Sequence, residues 1–462
     1  MIKRFINCCI LDTVCNLDCE YCYVGQEGQH VRESTKNSHS VEEIRQALSF
    51  QRLGGCCHMN ICATGETLLT DNVIELAEAF INEGHIVSIV TNALITKKID
   101  ELCSLSSDIK RRLFIKVSFH FLELKKKKLF TQFWKNVNKI KEAGISFTVE
   151  LTVNDASVSY IDEIQRECMD HLGAYCHVIE ARIQDGKDWP RLTTMDVSVH
   201  QMAWKVFKSP LFEFQQTIWG QPRKEFCYAG DWTCSIDLKS GDVTPCFGGG
   251  HVLDNIYTDI ERPINFCAIG HQCPWGNCFA AHALLTHGAI PDFVTPTYAE
   301  ERDRLCKDGT KWLQPEIEKI FSGKLQEVNE QYSDLRRQMT DFLMGCIYDN
   351  YDNSNKEELI YNLKSFMSSH GFRNVAIYGA GKVGIKLYEL LEQCQIKVDC
   401  FMDRQFKELA TPAPCIASES LLDGVDLIIV SVYYQYTGIK KMLRGNGNWI
   451  PILNLANIED LG

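Results

Sequence analysis

Short apolar runs alternate with amphipathic stretches along the front of the chain. Ile2–Leu11, His58–Ala63, His85–Thr91, Phe114–Phe119, Ser146–Val153 and His177–Ile183 read as strands. Ser40–Leu53, Asp71–Glu83 and Phe130–Ala143 read as helices; Ser40 followed three residues later by Glu43 marks a capping box at the start of the first. Such alternation predicts a parallel sheet with right-handed crossovers. A sheet this regular curls into a full or partial barrel, with ligands at the carboxyl ends of its strands. The pattern changes after Asp188. Gln201–Gln215 reads as a helix, and Cys227–Phe279 is rich in Gly, Cys and Asp around a hairpin turn at Lys239–Asp242. Tyr298–Phe342 reads as a charged, mostly helical connector and Asp349–Asn355 as a polar linker, after which alternation resumes from Asn374. The expected division is 1–195, 196–300, 301–370 and 371–462, with no internal repeat.

Composition narrows the chemistry. The chain has 462 residues, 45% of them hydrophobic, as in a globular protein with a full core. A formal net charge of -12 disfavours nucleic acid and anionic membrane, leaving a peptide or small-molecule substrate as the expectation. There are 22 cysteines, but no secretory signal pattern and no apolar run near the ~18 residues that span a membrane. The expected location is the cytoplasm, where clustered cysteines point to metal sites before disulfides.

The first cluster is Cys15-x3-Cys19-x2-Cys22, just after the first strand. Three thiolates can hold three irons of a cubane and leave the fourth open, unlike electron-transfer clusters with four cysteines. An open position is what a catalytic metal site needs. In a chain with so many cysteines this spacing also arises by chance; its place after the first strand argues against that. With Tyr21 as the aromatic before the last cysteine, the loop resembles that of the radical S-adenosylmethionine superfamily. The resemblance implies a [4Fe–4S] cluster whose free iron chelates S-adenosylmethionine, reductive cleavage to a 5′-deoxyadenosyl radical, and removal of a hydrogen atom from the substrate.

Companion motifs follow in family order. Ala63-Thr64-Gly65-Glu66 resembles the Gly-Gly-Glu-Pro motif, with Thr64 and Thr67 departing from it; Glu66 is the match for the residue that binds the methionine amino group, a charge-assisted contact. Thr91-Asn92-Ala93 resembles the Thr-Asn-Gly segment and nominates Asn92. Ser118, at the end of the fourth strand, is the candidate for the cofactor ribose or carboxylate. Arg182, on the sixth, is the candidate clamp for the methionine carboxylate, a salt bridge being the plain alternative. His120 is the candidate proton donor or hydrogen-bond partner of substrate, against a structural histidine. Among Cys8, Cys9, Cys56, Cys57 and Cys62, one facing the cavity could give a hydrogen atom to a substrate radical; such cysteines are more often small buried hydrophobes. Lys125–Lys128 reads as a solvated helix face before a phosphate site.

The second cluster has Cys227-x13-Gly241-x4-Cys246, then Cys267, Cys273 and Cys278. It resembles the auxiliary-cluster extension called SPASM, or its shorter relative twitch, without the full Cys-x2-Cys-x5-Cys-x3-Cys tail. The resemblance implies one auxiliary [4Fe–4S] cluster on Cys227, Cys246, Cys273 and Cys278, with Cys267 competing for a place. Four thiolates suit zinc as well.

Near the end, Gly379, Gly381 and Gly384 fit the Gly-x-Gly-x-x-Gly turn between a strand and a helix, and Asp403 closes the next strand near where an acidic residue meets a ribose hydroxyl. A doubly wound Rossmann-like unit follows; a nucleotide or nucleotide-sugar, a structural role and a redox dinucleotide all remain open for it. The whole is α/β: a partial (β/α)6 barrel, a cysteine-rich hairpin unit and the Rossmann-like unit. The expected function is radical chemistry on a peptide or a carbohydrate- or nucleotide-linked substrate, supplied with electrons by a flavodoxin or ferredoxin. Its rivals are a Rossmann-centred oxidoreductase with an iron–sulfur electron-transfer unit, and a zinc-binding interaction protein.

Overall fold

The computed structural model describes all residues except 27, 29–38, 185–187, 248, 279–280, 351–355 and 462, so most of the expected linker Asp349–Asn355 lies outside the described residues. Six strands make the front sheet: β1 (Arg4–Ile10), β2 (Cys57–Ala63), β3 (Ile86–Thr91), β4 (Leu113–Ser118), β5 (Ser146–Val153) and β6 (His177–Glu180). Each pairs in parallel with the next, as the sequence pattern predicts. The predicted helices form at Val41–Ala47, Val73–Asn82 and Phe130–Glu142. The first is shorter than the apolar pattern suggests, but Ser40 and Glu43 make both hydrogen bonds of the capping box.

Strand alternation sorts the two faces of this sheet. Ile6, Cys8 and Ile10 of β1 and Cys57, Met59 and Ile61 of β2 join the buried apolar layer that packs under the helices. The other face turns inward and carries polar groups: Asn60 donates to Asn7 at 2.7 Å. At the amino ends of the strands the lumen is plugged by rings of Phe5, His58, Phe114, His287, Tyr298 and Phe321. Burial pushes His58 and His287 well down, so both are neutral where their ring nitrogens meet at 3.0 Å.

The cysteine-rich segment extends the same sheet. β7 (Thr233–Asp237) lies parallel to β1 on its free edge, and β8 (Asp242–Thr244) and β9 (Asp254–Asn255) follow antiparallel. Gly241 makes the predicted β7–β8 turn with φ 84°. The expected helix Gln201–Gln215 is two helices, Val197–Lys205 and Pro210–Ile218. Lys208 at φ 46° and the ring of Pro210 prevent one continuous helix. The region read as a charged connector holds Tyr298–Arg302, Pro315–Phe321 and Asp334–Tyr348 as separate helices, with Ile317, Phe321 and Leu325 buried against the barrel plug.

The C-terminal sheet has the order β12 (Cys415–Ala417), β11 (Lys397–Asp403), β10 (Asn374–Tyr378), β13 (Leu427–Val430), β14 (Ile452–Asn454), β15 (Asn457–Leu461). All pairs are parallel except β14–β15. The chain leaves β10 toward β11 and returns to β13 on its other side, which places the topological switch point between β10 and β13. The short β12, between the prolines of Thr411-Pro412-Ala413-Pro414 and a polar stretch, is absent from the sequence reading.

Candidate cofactor and cluster site

The loop after β1 is fixed by the turn after β2. Thr64 N–H donates to Ile10 O at 3.0 Å, Gly65 N–H to Asp12 O at 2.6 Å and Glu66 N–H to Val14 O at 2.8 Å. These bonds carry the β1–β2 ladder into the cysteine loop. Gly65 is required by this approach: a Cβ there would collide with the carbonyl of Val14. Asn92, after β3, donates to Asn16 at 2.6 Å, a second tie to the loop.

Glu66 is 4% exposed and heavily bonded, which decides its role in the site. Its Oε1 accepts from Thr91 Oγ1 at 2.6 Å and from Leu68 N–H at 3.0 Å; its Oε2 accepts from Asn92 N–H at 2.7 Å. Burial pushes its pKa up, while the donors from Asn92, Thr91 and Leu68 oppose that. An ionised carboxylate has about four acceptor positions, so one remains on Oε2.

Cys22 disfavours ionisation of Cys15 and Cys19, and Cys15 that of Cys19; burial is the larger cause and lifts Cys19 to about 12. As free thiols Cys15 and Cys19 hold their protons until a metal displaces them. His120, two residues beyond β4, is half-buried against the loop: Nδ1 is 2.7 Å from Tyr21 Oη and 3.4 Å from Cys19 Sγ, and the rings of His120 and Tyr21 stack. Burial lowers its pKa to about 4. Arg182, just beyond β6, lies over the ring of Tyr23, 4.6 Å from its centroid, and over Trp189 at 5.2 Å. Ser118 is half-buried at the carboxyl end of β4, beside Glu150 of β5. Glu150 is itself engaged by the fully buried Arg302 at 2.5 Å. Burial pushes Glu150 up, but Arg302 and Lys116 outweigh it and hold the carboxyl below its usual value. Tyr23 and the Glu150–Arg302 pair were missed in the sequence; adjacency to Cys22 was a usable signal for Tyr23, whereas nothing local marks Arg302.

The later cysteines also converge. Burial is the main cause that raises Cys227 and Cys278, and each is raised further by its fellows: Cys227 by Cys273 and Cys246, and Cys278 by Cys273, Cys227 and Cys246. Cys267 is fully buried in an apolar cluster with Leu253, Met339, Phe342 and Leu343 and is not among the groups acting on those two. Among the described residues, no three or more His, Cys, Asp or Glu side chains stand close enough to share one metal ion.

In the C-terminal unit the three glycines differ. A Cβ on Gly379 would press on Ser431 and Val432, and one on Gly384 would collide with the carbonyl of Gly379; one on Gly381 would meet open space. Gly381 caps the helix Lys382–Gln393 without a side-chain bond. Asp403 accepts from Ala380 N–H and Gln405 N–H, both at 2.9 Å, so its carboxylate holds the turn itself.

Residues 10–164 match the Radical SAM superfamily model. Similar solved structures include native anSMEcpe with bound AdoMet, at 12% identity over 55% of this chain and 78% of that one, with a TM-score of 0.41. BtrN in complex with AdoMet and 2-DOIA is 14% identical over 56% and 80%, TM-score 0.27. HydG, a maturase of the [FeFe]-hydrogenase, is 12% identical over 80% and 78%, TM-score 0.34. No curated protein sequence matches the chain, and no described helix is long and apolar enough to cross a membrane. The matched span runs from the end of β1 through the three-cysteine loop, the turn that clamps it and strands β2 to β5: residues 10–164 form a radical SAM domain, the module of a class of enzymes that pair a [4Fe–4S] cluster with S-adenosylmethionine.

Proposed function

We propose that this enzyme removes a hydrogen atom from a peptide or a carbohydrate- or nucleotide-linked substrate held in the barrel lumen, with a second iron–sulfur cluster beside it. Cys15, Cys19 and Cys22 hold the first cluster, and the remaining acceptor position on Glu66 receives the ammonium of S-adenosylmethionine. When bound, that pair supplies a 5′-deoxyadenosyl radical. The chain's own part is to position and to exclude water. Gly65 and Asn92 set the loop, His120 braces Tyr21 and Cys19 from below, and Arg182 with Tyr23 walls the side toward β6. Ser118 and Asn92 are assigned to the cofactor's polar groups, and a low-potential flavodoxin or ferredoxin is the electron donor.

The observation that carries the second cluster is that Cys246 and Cys273 both act on Cys227 and on Cys278, which places the four thiols near one another. Four thiolates suit zinc as well; the resemblance to the auxiliary-cluster extension favours iron–sulfur here. Gly381, with open space at its Cα, supports a nucleotide or nucleotide-sugar at the C-terminal turn.

Anaerobic reconstitution tests the assignment. Two cubanes give roughly eight irons per chain, and Cys278→Ala is expected to reduce this to about four with the first cluster retained. Abundant zinc with little iron would overturn the proposal, as would failure to form 5′-deoxyadenosine from S-adenosylmethionine and dithionite once the clusters are in place.

A further inference from the structure

Two thiols inside the barrel have no part in either cluster. Cys9 of β1 and Cys62 of β2 are aligned partners on neighbouring parallel strands. Their neighbours Cys8, Ile10, Ile61 and Ala63 belong to the apolar layer under the helices, so Cys9 and Cys62 face the other way, into the lumen. Both are half-buried. Cys62 lies within electrostatic reach of Lys116 and Glu66, and Cys9 of Asp237. Tyr23 lies within electrostatic reach of Cys22, Cys62 and Cys9 alike. The pair therefore stands near the cysteine loop, on the lumen face of the sheet.

We propose that Cys9 and Cys62 form a hydrogen-atom donor that quenches a carbon radical in the lumen. The inference rests on the radical reading above. Three properties suit the pair to the task. Burial, reinforced at Cys9 by Cys62 and Asp237, lifts Cys9 to about 12 and raises Cys62 as well. Both are thus S–H rather than thiolate at neutral pH, and only S–H can give a hydrogen atom. The S–H bond is also weaker than most C–H bonds, so transfer to a carbon radical runs downhill. Finally, adjacent strands stand about 4.8 Å apart, inside the roughly 4.4–6.8 Å Cα separation that a disulfide spans.

The balance is complete with two thiols and one acceptor. One thiol gives its hydrogen atom to the carbon radical: an S–H bond breaks, a C–H bond forms, and a thiyl radical remains. The second thiol loses its proton and joins the thiyl sulfur. The S–S bond that forms carries one surplus electron, which passes to an oxidised iron–sulfur centre. A small dithiol then reduces the disulfide with two electrons and two protons. Asn7, whose Nδ2 is 2.8 Å from Cys9 Sγ, and Cys62's contact with Ala63 O at 3.5 Å fix the two sulfurs before transfer.

The test needs no substrate. Reconstituted full-length enzyme is exchanged into D2O, so that thiols carry deuterium, and given unlabelled S-adenosylmethionine and dithionite. The 5′-deoxyadenosine formed is expected to be mostly one mass unit heavier. Peptide mapping of the same sample after alkylation is expected to show a Cys9–Cys62 disulfide. The Cys9→Ser/Cys62→Ser double variant should lose both signals in whatever 5′-deoxyadenosine it makes. Cys415→Ser, on β12 of the far sheet, is the control that keeps them. Label undiminished in the double variant overturns the thiol proposal and leaves the radical reading intact. No 5′-deoxyadenosine from the reconstituted wild-type chain removes both.

Discussion

The molecule has two glycine turns at the carboxyl ends of parallel strands, and they do opposite things with similar parts. After β2, Gly65 lets the backbone close on the cysteine loop, and the carboxylate beside it, Glu66, keeps an acceptor position spare. After β10, Gly384 lets the helix close on the carbonyl of Gly379, and Asp403, the nearby carboxylate, accepts from Ala380 N–H and Gln405 N–H around the same turn. The first turn ties itself to another segment of chain; the close approach in the second stays within its own turn and helix. A motif therefore specifies a close backbone approach, and the segment approached tells the two turns apart.

The sharpest way to break this comparison is at the loop the first turn presents. Cys22→Ala is expected to reduce 5′-deoxyadenosine formation to the level of enzyme-free controls, measured by chromatography. Gly65→Ala comes next. Its Cβ meets the Val14 carbonyl, so the loop must shift, and cofactor cleavage should fall about 10–100-fold, the range seen when groups supporting metal ligands are lost. Equal turnover by Gly65→Ala and wild type would remove the clamp from the argument.

At the second turn the expected effect is on stability. Gly384→Ala overpacks the helix against Gly379 and should cost about 1–3 kcal/mol, read as a lowered unfolding midpoint. Gly381→Ala, facing open space, should stay within about 0.5 kcal/mol. A reversed order would mean that the two glycines have exchanged roles. Between these lies a pH effect in the core. Burial raises the Cys267 thiol to about 12 from an ordinary 9.0. The folded state therefore keeps a proton that the unfolded chain releases. Its contribution is full below pH 9.0 and is lost as pH rises toward 12. At pH 10 the loss is about 1.4 kcal/mol, and denaturant melts of Cys267→Ala should lack that part of the alkaline decline.

Much of this was legible in the chain. Strands such as Ser146–Val153 were readable because Phe147, Val149, Leu151 and Val153 alternate with polar residues, and Ser40 with Glu43 announced a helix start through local hydrogen bonding alone. Cys15, Cys19 and Cys22 were readable because their chemistry is local. What was not readable depends on distant partners. The pairing of β7 with β1 crosses most of the barrel domain in sequence, and no pattern within Thr233–Asp237 names its neighbour. Arg302 looked like one charge among many in a polar stretch; only the fold shows it fully buried on Glu150. Cys9 and Cys62 looked like any small core residues, since strand alternation reveals a face but not which face is the lumen.

The place of β7 has a consequence for how the protein is made. β1 is an early strand in the order of synthesis, and β7 completes its second edge only when Thr233–Asp237 have emerged. At about 5–20 residues per second, that edge waits on the order of ten to fifty seconds on the ribosome. During that time the strand leading into the cysteine loop is an unpaired template open to foreign strands. The nascent barrel thus has a window in which a chaperone can cover the edge of β1 before β7 seals it.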